Sequence, residues 1–263
     1  VEVIWRKARQ GGRYGGKLDP AIVFWIAALM AIAAALYSSV GHGGASAYLA
    51  IMALFSVTPE TMRPTALALN LVVATFAAAR FALKGQTNWR LLAAFAATAV
   101  PAAYIGGSIE LPPTVYRPLV GLVLLGAAVR LFWQPERRAA RPAYAPSLAV
   151  TLPTGAALGM LAGLTGTGGG IFLSPLIILF GWEDARKTSG IAAAFIVLNS
   201  AAGLLGNLAS VQRLPAELPI LVASVFGGAL VGTWLGVARL PRPRLLQGLA
   251  IVLVIAALKL FVT

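Results

Sequence analysis

The chain contains no cysteine. Thiolate metal sites, thiol catalysis and disulfide scaffolds are therefore excluded. Histidine occurs once and acidic residues only eight times in 263 positions, which leaves little from which to build a metal or acid–base centre. Charged residues make up 11% of the chain, against about 25% in soluble domains. Too few ionic side chains exist to clothe a water-facing surface, which argues against a soluble enzyme, a disordered chain and a coiled coil. What is abundant is apolar, at 59%, and the remaining charge is basic, with 21 Lys and Arg and a net charge of +13. The composition is that of a polytopic membrane protein.

The distribution of charge gives the organisation. Pro20 to Pro59 holds no Asp, Glu, Lys or Arg over 40 residues, and neither does Pro142 to Trp182 over 41. A spanning helix needs about 20 apolar residues, so each block suits two segments with a break. Ten apolar segments are predicted near 21–40, 45–57, 65–83, 91–109, 117–133, 148–165, 170–181, 189–208, 217–237 and 244–262. The second and seventh have the length of half-helices or re-entrant pieces. Trp25, Trp89, Trp133 and Trp182 fall at segment ends, as interfacial aromatics do.

The two long blocks are related. Gly41-His42-Gly43-Gly44 matches Gly166-Thr167-Gly168-Gly169, and Leu54-Phe55 matches Leu179-Phe180, both at an offset of 125. Gly106 pairs with Gly232, Gly121 with Gly248, and Arg130-Leu131-Phe132 with Lys259-Leu260-Phe261, at offsets drifting to 129. The expected organisation is a basic cytoplasmic tail at 1–17, a first transmembrane repeat at 18–133, a basic and proline-containing linker at 134–146 and a second repeat at 147–263. The expected fold is all-α and polytopic, with two homologous repeats of about four spans plus one short broken or re-entrant helix each. If each short segment returns to the side it entered from, basic residues divide fourteen to seven in favour of the tail's side, as the positive-inside rule prefers. If the short segments cross fully, the copies are inverted and the division is nine to twelve. The first arrangement is the one expected. Duplicated halves that break at matching points are a signature of transporters.

Several constellations could carry function. Gly41, His42, Gly43 and Gly44, and Gly166, Thr167, Gly168, Gly169 and Gly170, lie within charge-free blocks and so at membrane depth. An unwound backbone there leaves unpaired amides and carbonyls, tolerated only where protein or a wet cavity receives them. The short helix that follows would direct its amide hydrogens and positive dipole end into that space, a ready site for an anion. Ser46, Ser38, Ser39 and Thr165 add hydroxyls nearby. The alternative is close packing by small residues with no ligand. Asn70 and Asn199, each inside the third segment of its copy, could contact substrate oxygens, cap freed carbonyls or bond another helix. His42 could titrate and couple transport to protons, or act as a neutral structural donor. Arg63 and Lys187 follow the two short segments and could form a positive vestibule, or anchor the helices at the headgroups. Gly155/Gly159/Gly163 and Gly228/Gly232/Gly236 read as helix-packing stripes. No Lys follows Gly170 and no βαβ context surrounds it, so a phosphate loop is set aside.

Val40-Gly41-His42-Gly43-Gly44, together with Gly163-Leu164-Thr165-Gly166-Thr167-Gly168-Gly169-Gly170 leading into Ile171-Phe172-Leu173-Ser174-Pro175, resembles the sulfite exporter TauE/SafE family of membrane permeases, also called TSUP. The duplication, the length and the segments carrying Asn70 and Asn199 fit as well. The resemblance implies a multi-pass protein of the bacterial inner membrane that moves small anions such as sulfite or organosulfonates without ATP. His42 stands where that pattern carries a small residue. The reading of the residues agrees on class. No acidic residue lies inside the long charge-free blocks, so coupling would rest on His42, on the substrate's own protonation or on the membrane potential. The expected protein is a secondary transporter working by alternating access, with the lipid bilayer and a small anionic substrate as partners and no enzyme activity, cofactor, metal or nucleic acid. A membrane-embedded enzyme and a structural or assembly subunit are the competing readings.

Overall fold

The computed structural model describes residues 13–14, 17–18, 20–38, 43–132, 144–235 and 242–262, with side chains beyond 232 described only at 247, 249–262. Gly41, His42, most of the basic tail and most of the 134–146 linker lie outside the described residues. A two-residue antiparallel pairing, β1 (Arg13–Tyr14) with β2 (Lys17–Leu18), precedes the bundle. Among the described residues after it, every regular element is helical. The helices are α1 (Pro20–Ser38), α2 (Ala45–Leu54), α3 (Pro59–Leu83), α4 (Trp89–Ser108) and α5 (Pro113–Phe132), then α6 (Leu148–Thr165), α7 (Gly170–Leu179), α8 (Ala185–Gly206), a 3-10 turn (Leu208–Arg213), α9 (Leu218–Leu235) and α10 (Arg242–Val262).

Local chemistry sets the boundaries. Prolines begin α1, α3 and α5, where a missing amide hydrogen costs nothing. Asn88 caps α4 by accepting from the Leu91 amide at 3.1 Å, and Asp184 caps α8 by accepting from Arg186 and Lys187 at 2.9 and 3.0 Å. Among the described residues six helices, α1, α3, α4, α5, α6 and α8, are long and apolar enough to cross a membrane. Helices α2 and α7 have ten residues each, about 15 Å, or half a hydrocarbon core.

Helix directions follow from hydrogen bonds and glycine contacts. Helices α1 and α9 run parallel: Ser224 Oγ donates to the Ala27 carbonyl at 2.5 Å and Ser38 Oγ to the Ala229 carbonyl at 3.2 Å, while Gly228 and Gly232 lie on Ala31 and Ala35. Helices α4 and α6 also run parallel, with Gly155, Gly159 and Gly163 on Phe95, Ala99 and Ala103. Helix α8 runs the same way along α4. At the start Asn88 Nδ2 donates to Glu183 Oε2 at 2.6 Å; at the end Asn207 Nδ2 and Arg213 Nη1 meet Glu110 Oε1 at 3.0 and 2.9 Å.

These directions correct one expectation. Because α6 and α8 both run with α4, α7 must travel back between them; it crosses rather than returning to the face it left. The physical reason is that the break supplies the missing length. Residues Gly166–Gly169 carry the chain inward from the end of α6, Gly169 rests on the Leu158 carbonyl and Ala162, and α7 continues until Trp182 packs on Phe95, ring centroids 5.8 Å apart. The same holds for α2. Helix α3 turns into α4 through a short loop and α8 into α9 through the 3-10 turn, so α1, α3 and α9 are parallel and α2 runs back between α1 and α3. Direction alternates through all ten helices, and the five-helix halves are therefore inverted relative to each other.

Two apolar cores result. One joins α4, α7 and α8 through Leu91, Phe95, Leu173, Ile177, Trp182 and Phe195; the larger joins α1, α2, α3, α5, α9 and α10. Each tight helix seam pairs one half with the other: α4 with α6 and α8, α1 with α9, and α5 with α10, where Gly121 meets Ala257 and Phe261.

Candidate functional site

Glycine permits the two interruptions. Gly44 has φ 92°, and Gly166, Gly168 and Gly169 have φ 86°, 72° and 77°, a left-handed backbone that other residues adopt at a cost. Gly166 closes α6, its amide donating to the Ala162 carbonyl at 2.9 Å. Gly44 and Gly169 then act as N-caps of α2 and α7 and, being glycines, offer no side-chain oxygen to the first turn. The first internal bonds of α2 run from the Ala47 and Tyr48 amides to the Gly44 carbonyl, and those of α7 from Phe172 and Leu173 to Gly169. The amides of Ala45, Ser46, Gly170 and Ile171 precede them in the first turn and have no partner within their own helix.

The two breaks meet. Gly43 and Gly168 both lie against the side-chain amide of Asn70: a methyl on Gly43 would stand 2.7 Å from Asn70 Oδ1, and one on Gly168 would stand 2.8 Å from Asn70 Nδ2. Both also touch Ile196, and Gly168 faces Ser200 Oγ. Asn70 Nδ2 donates to the Thr167 carbonyl at 3.3 Å. Of the buried polar groups left without partners, some lie at or beside this point, while others such as Thr87 and Thr151 lie elsewhere. Asn70 Oδ1, Ser200 Oγ and both amide atoms of Asn199 are fully buried and have no hydrogen-bond partner among the described residues. Asn199 and Ser200 sit three and four residues after Ile196, on one helix face. Since buried polar atoms are nearly always paired, this concentration marks the centre where the breaks converge.

The remaining expected residues have local roles. Ser46 Oγ and Tyr37 OH are 2.6 Å apart, and Tyr48 OH donates to the Gly43 carbonyl at 2.9 Å. Thr167 and Thr165 hydroxyls are 2.9 Å apart, and Tyr116 OH donates to the Thr165 carbonyl at 3.1 Å. Gly170 opens α7 against Ile196. Arg63 and Lys187, the expected vestibule, each hold partners. Arg63 donates to the Ile109 carbonyl at 2.7 Å, to that of Gly106 at 3.1 Å and to that of Gly107, closing the C-terminus of α4. Lys187 pairs with Glu183 and Asp184 at 3.5 and 3.8 Å.

Sequence reasoning missed Ser200 and Ile196, the side chains that complete the junction on the α8 side. Position 196 lies 126 residues after Asn70, the offset between the starts of α3 and α8, so the residue opposite Asn70 could have been found by extending the duplication. It also missed Lys259 as a cap. Its Nζ donates to the Leu54 carbonyl at 2.7 Å and to Ser56 Oγ at 2.9 Å, placing a cation at the negative end of α2.

A cavity of about 30 Å³ opens between the start of α1, the end of α2, the start of α3 and the start of α9, lined by Val23, Met52, Thr61, Thr65 and Leu221 among others. It has room for water only. Thr65 Oγ1, unpartnered, lies at its wall, five residues before Asn70 on α3. No group of three or more metal-ligating side chains occurs among the described residues.

Among the described residues outside the apolar helices, the titration of Glu110 is shifted. Hydrogen bonds from Asn207 and from Arg213, and the charge of Arg213, hold the exposed Glu110 carboxyl below the ordinary glutamate range.

Comparison with known proteins gives a consistent picture. The family model described as sulfite exporter TauE/SafE matches residues 26–260. A relative from Sinorhizobium fredii (strain NBRC 101917 / NGR234) named "Probable membrane transporter protein y4hK" is 38% identical over 243 residues, covering 91% of this chain and 96% of its own. A second, "Probable membrane transporter protein YjnA" of Bacillus subtilis (strain 168), is 27% identical over 243 residues, covering 86% and 94%. No solved structure matches the chain.

Proposed function

The chain belongs to the sulfite exporter TauE/SafE family and is a multi-pass membrane transporter, not an enzyme, and from that premise we propose that it is a secondary permease for a small anion, sulfite or an organosulfonate, bound where the two glycine breaks meet. The observation that carries this reading is the shared contact of Gly43 and Gly168 with Asn70. Two half-helices begin at one point, each with a glycine N-cap that has no side chain to occupy its first turn, and helix N-termini favour anions. The orphaned atoms of Asn70, Asn199 and Ser200 supply further partners for oxyanion oxygens or bound water.

The substrate site comprises Gly43, Gly44, Ser46, Asn70, Thr167, Gly168 and their neighbours, with Gly41 and His42 completing the first break. The two five-helix halves are repeats of one unit, inverted in the membrane. Inverted halves offer the same two conformations to both sides, so exchanging them alternates access to a fixed centre. In this conformation Ile196 and Asn70 close over the breaks.

The test is anion flux in proteoliposomes with sulfite, thiosulfate, sulfoacetate and sulfate. Wild-type protein is expected to carry at least one of them. Gly43→Val should abolish flux while the protein still inserts and keeps its helix content, because its side chain would displace the Asn70 amide. Unchanged flux in that variant would overturn the site.

A further inference from the structure

We infer that the junction of the two breaks selects oxyanions that carry a single negative charge and retain one O–H or N–H donor, an inference that rests on the permease reading above. Two features of the site carry it independently: its charge and the orientation of one amide.

The charge comes from the backbone. Each helix N-terminus is equivalent to roughly half a positive charge. Two such ends meeting at Asn70 supply about one. The side chains against Gly43, Gly168 and Gly170 are Asn70, Ile196 and Ser200, all uncharged. Arg63, on the same helix as Asn70, is turned to the carbonyls of α4. A monoanion is therefore balanced at this depth. A dianion brings a second charge with no partner among the described residues, and unpaired charge in a dry interior is strongly disfavoured.

The amide sets the hydrogen-bond demand. Only the NH₂ of a carboxamide can donate to a carbonyl, so the bond from Asn70 Nδ2 to the Thr167 carbonyl fixes which way the group faces. Asn70 Oδ1 is left as the fully buried, unpartnered atom beside Gly43. It accepts and cannot donate. A fully ionised oxyanion with no hydrogen would place a lone pair against it. An anion that keeps one hydroxyl or amino hydrogen satisfies it while its other oxygens take the amides of the breaks. The same geometry therefore rejects one chemical form and rewards another. Leaving a buried acceptor unpaired costs more than an ordinary hydrogen bond contributes.

Three sulfonates of similar length separate the terms: 2-hydroxyethanesulfonate has one charge and a hydroxyl, ethanesulfonate one charge and no donor, sulfoacetate two charges. Wild-type protein in proteoliposomes is assayed with each by initial uptake at about pH 8. Hydroxyethanesulfonate is expected to move about fivefold faster than ethanesulfonate, the effect of one hydrogen bond, and sulfoacetate is expected to be slowest. Sulfoacetate moving as fast as hydroxyethanesulfonate would overturn the single-charge inference. Equal rates for hydroxyethanesulfonate and ethanesulfonate would overturn the role given to Asn70 Oδ1. Either result leaves the permease reading standing, since anions are still carried. Should none of the three move while sulfite does, this inference falls and the permease reading stands; should sulfite also fail to move, both fall.

Discussion

Gly168→Ala isolates the energy stored where the breaks meet. Two terms oppose the methyl. The first is backbone: at φ 72° a non-glycine residue is destabilised by about 1 kcal/mol. The second is the neighbourhood. The new carbon would stand 2.8 Å from Asn70 Nδ2 and 2.9 Å from Ile196 Cγ2, both closer than van der Waals contact. Pushing the amide aside breaks its bond to the Thr167 carbonyl, about 1 kcal/mol, and strands a buried polar group for about 1–3 kcal/mol more. The sum is about 3–5 kcal/mol. Gly85→Ala is the matched control. Gly85 has φ 64° with nothing within 4 Å of the added methyl, so it incurs the backbone term alone. Thermal unfolding of the two variants in detergent is expected to differ by about 2–4 kcal/mol, at roughly 2–4 °C for each kcal/mol, with anion flux lost in Gly168→Ala and kept in Gly85→Ala. Equal midpoints, or flux surviving in Gly168→Ala, would refute the convergence of the breaks on Asn70.

Further expectations concern the frame around that centre. Gly159→Ala places a methyl on the Ala99 carbonyl across the α4–α6 seam and should lower stability by about 1–3 kcal/mol, whereas Gly227→Ala, with open space around it, should leave thermal unfolding unchanged or slightly improved. Lys259→Met removes the cation from the C-terminus of α2 and should weaken that half-helix by about 1 kcal/mol, read as faster amide exchange at Phe55 and Val57, whose amides close its last turn. Glu110 has its pKa lowered in the folded protein, so its contribution is whole above the ordinary glutamate range and disappears as pH falls through the lowered value. Wild type should therefore exceed Glu110→Gln in melting temperature near neutrality, and the gap should close in acid; a gap independent of pH would refute the role of the carboxylate.

Much of the fold was legible because charge is so sparse. The segments predicted at 148–165 and 170–181 correspond to helices at Leu148–Thr165 and Gly170–Leu179, since Gly166–Gly169 is a punctuation mark that no other residue type can imitate. Helix starts were read late where polar residues open a helix: α3 begins at Pro59 and α8 at Ala185, about one to two turns before the predicted apolar runs at 65 and 189, because prolines and caps rather than hydropathy decide N-termini. The direction of the short segments was not legible. Charge counting favoured a return because only that arrangement keeps Arg80, Lys84, Arg90 and the basic residues at 130–141 on the tail's side; the contacts that set the direction, such as Gly159 on Ala99, are tertiary, and no tally of loops contains them. At the site, Gly43, Gly168 and Asn70 could be nominated from their types. That one asparagine serves both breaks depends on how two halves interlock, which spacing along the chain does not encode.

The interlocking has a consequence for synthesis. Ser38 and Ala229 are bonded across 191 residues and Ala27 and Ser224 across 197. When α1 leaves the ribosome, the helix that will cover its Ala31 and Ala35 stripe is still untranslated. That stripe must wait in lipid, the one solvent where an exposed row of small apolar residues carries little penalty. Maturation is thus a late event, triggered by the arrival of α9, and a chain stopped after its first five helices would be inserted yet incomplete. Supplying the second half as a separate polypeptide should rescue it.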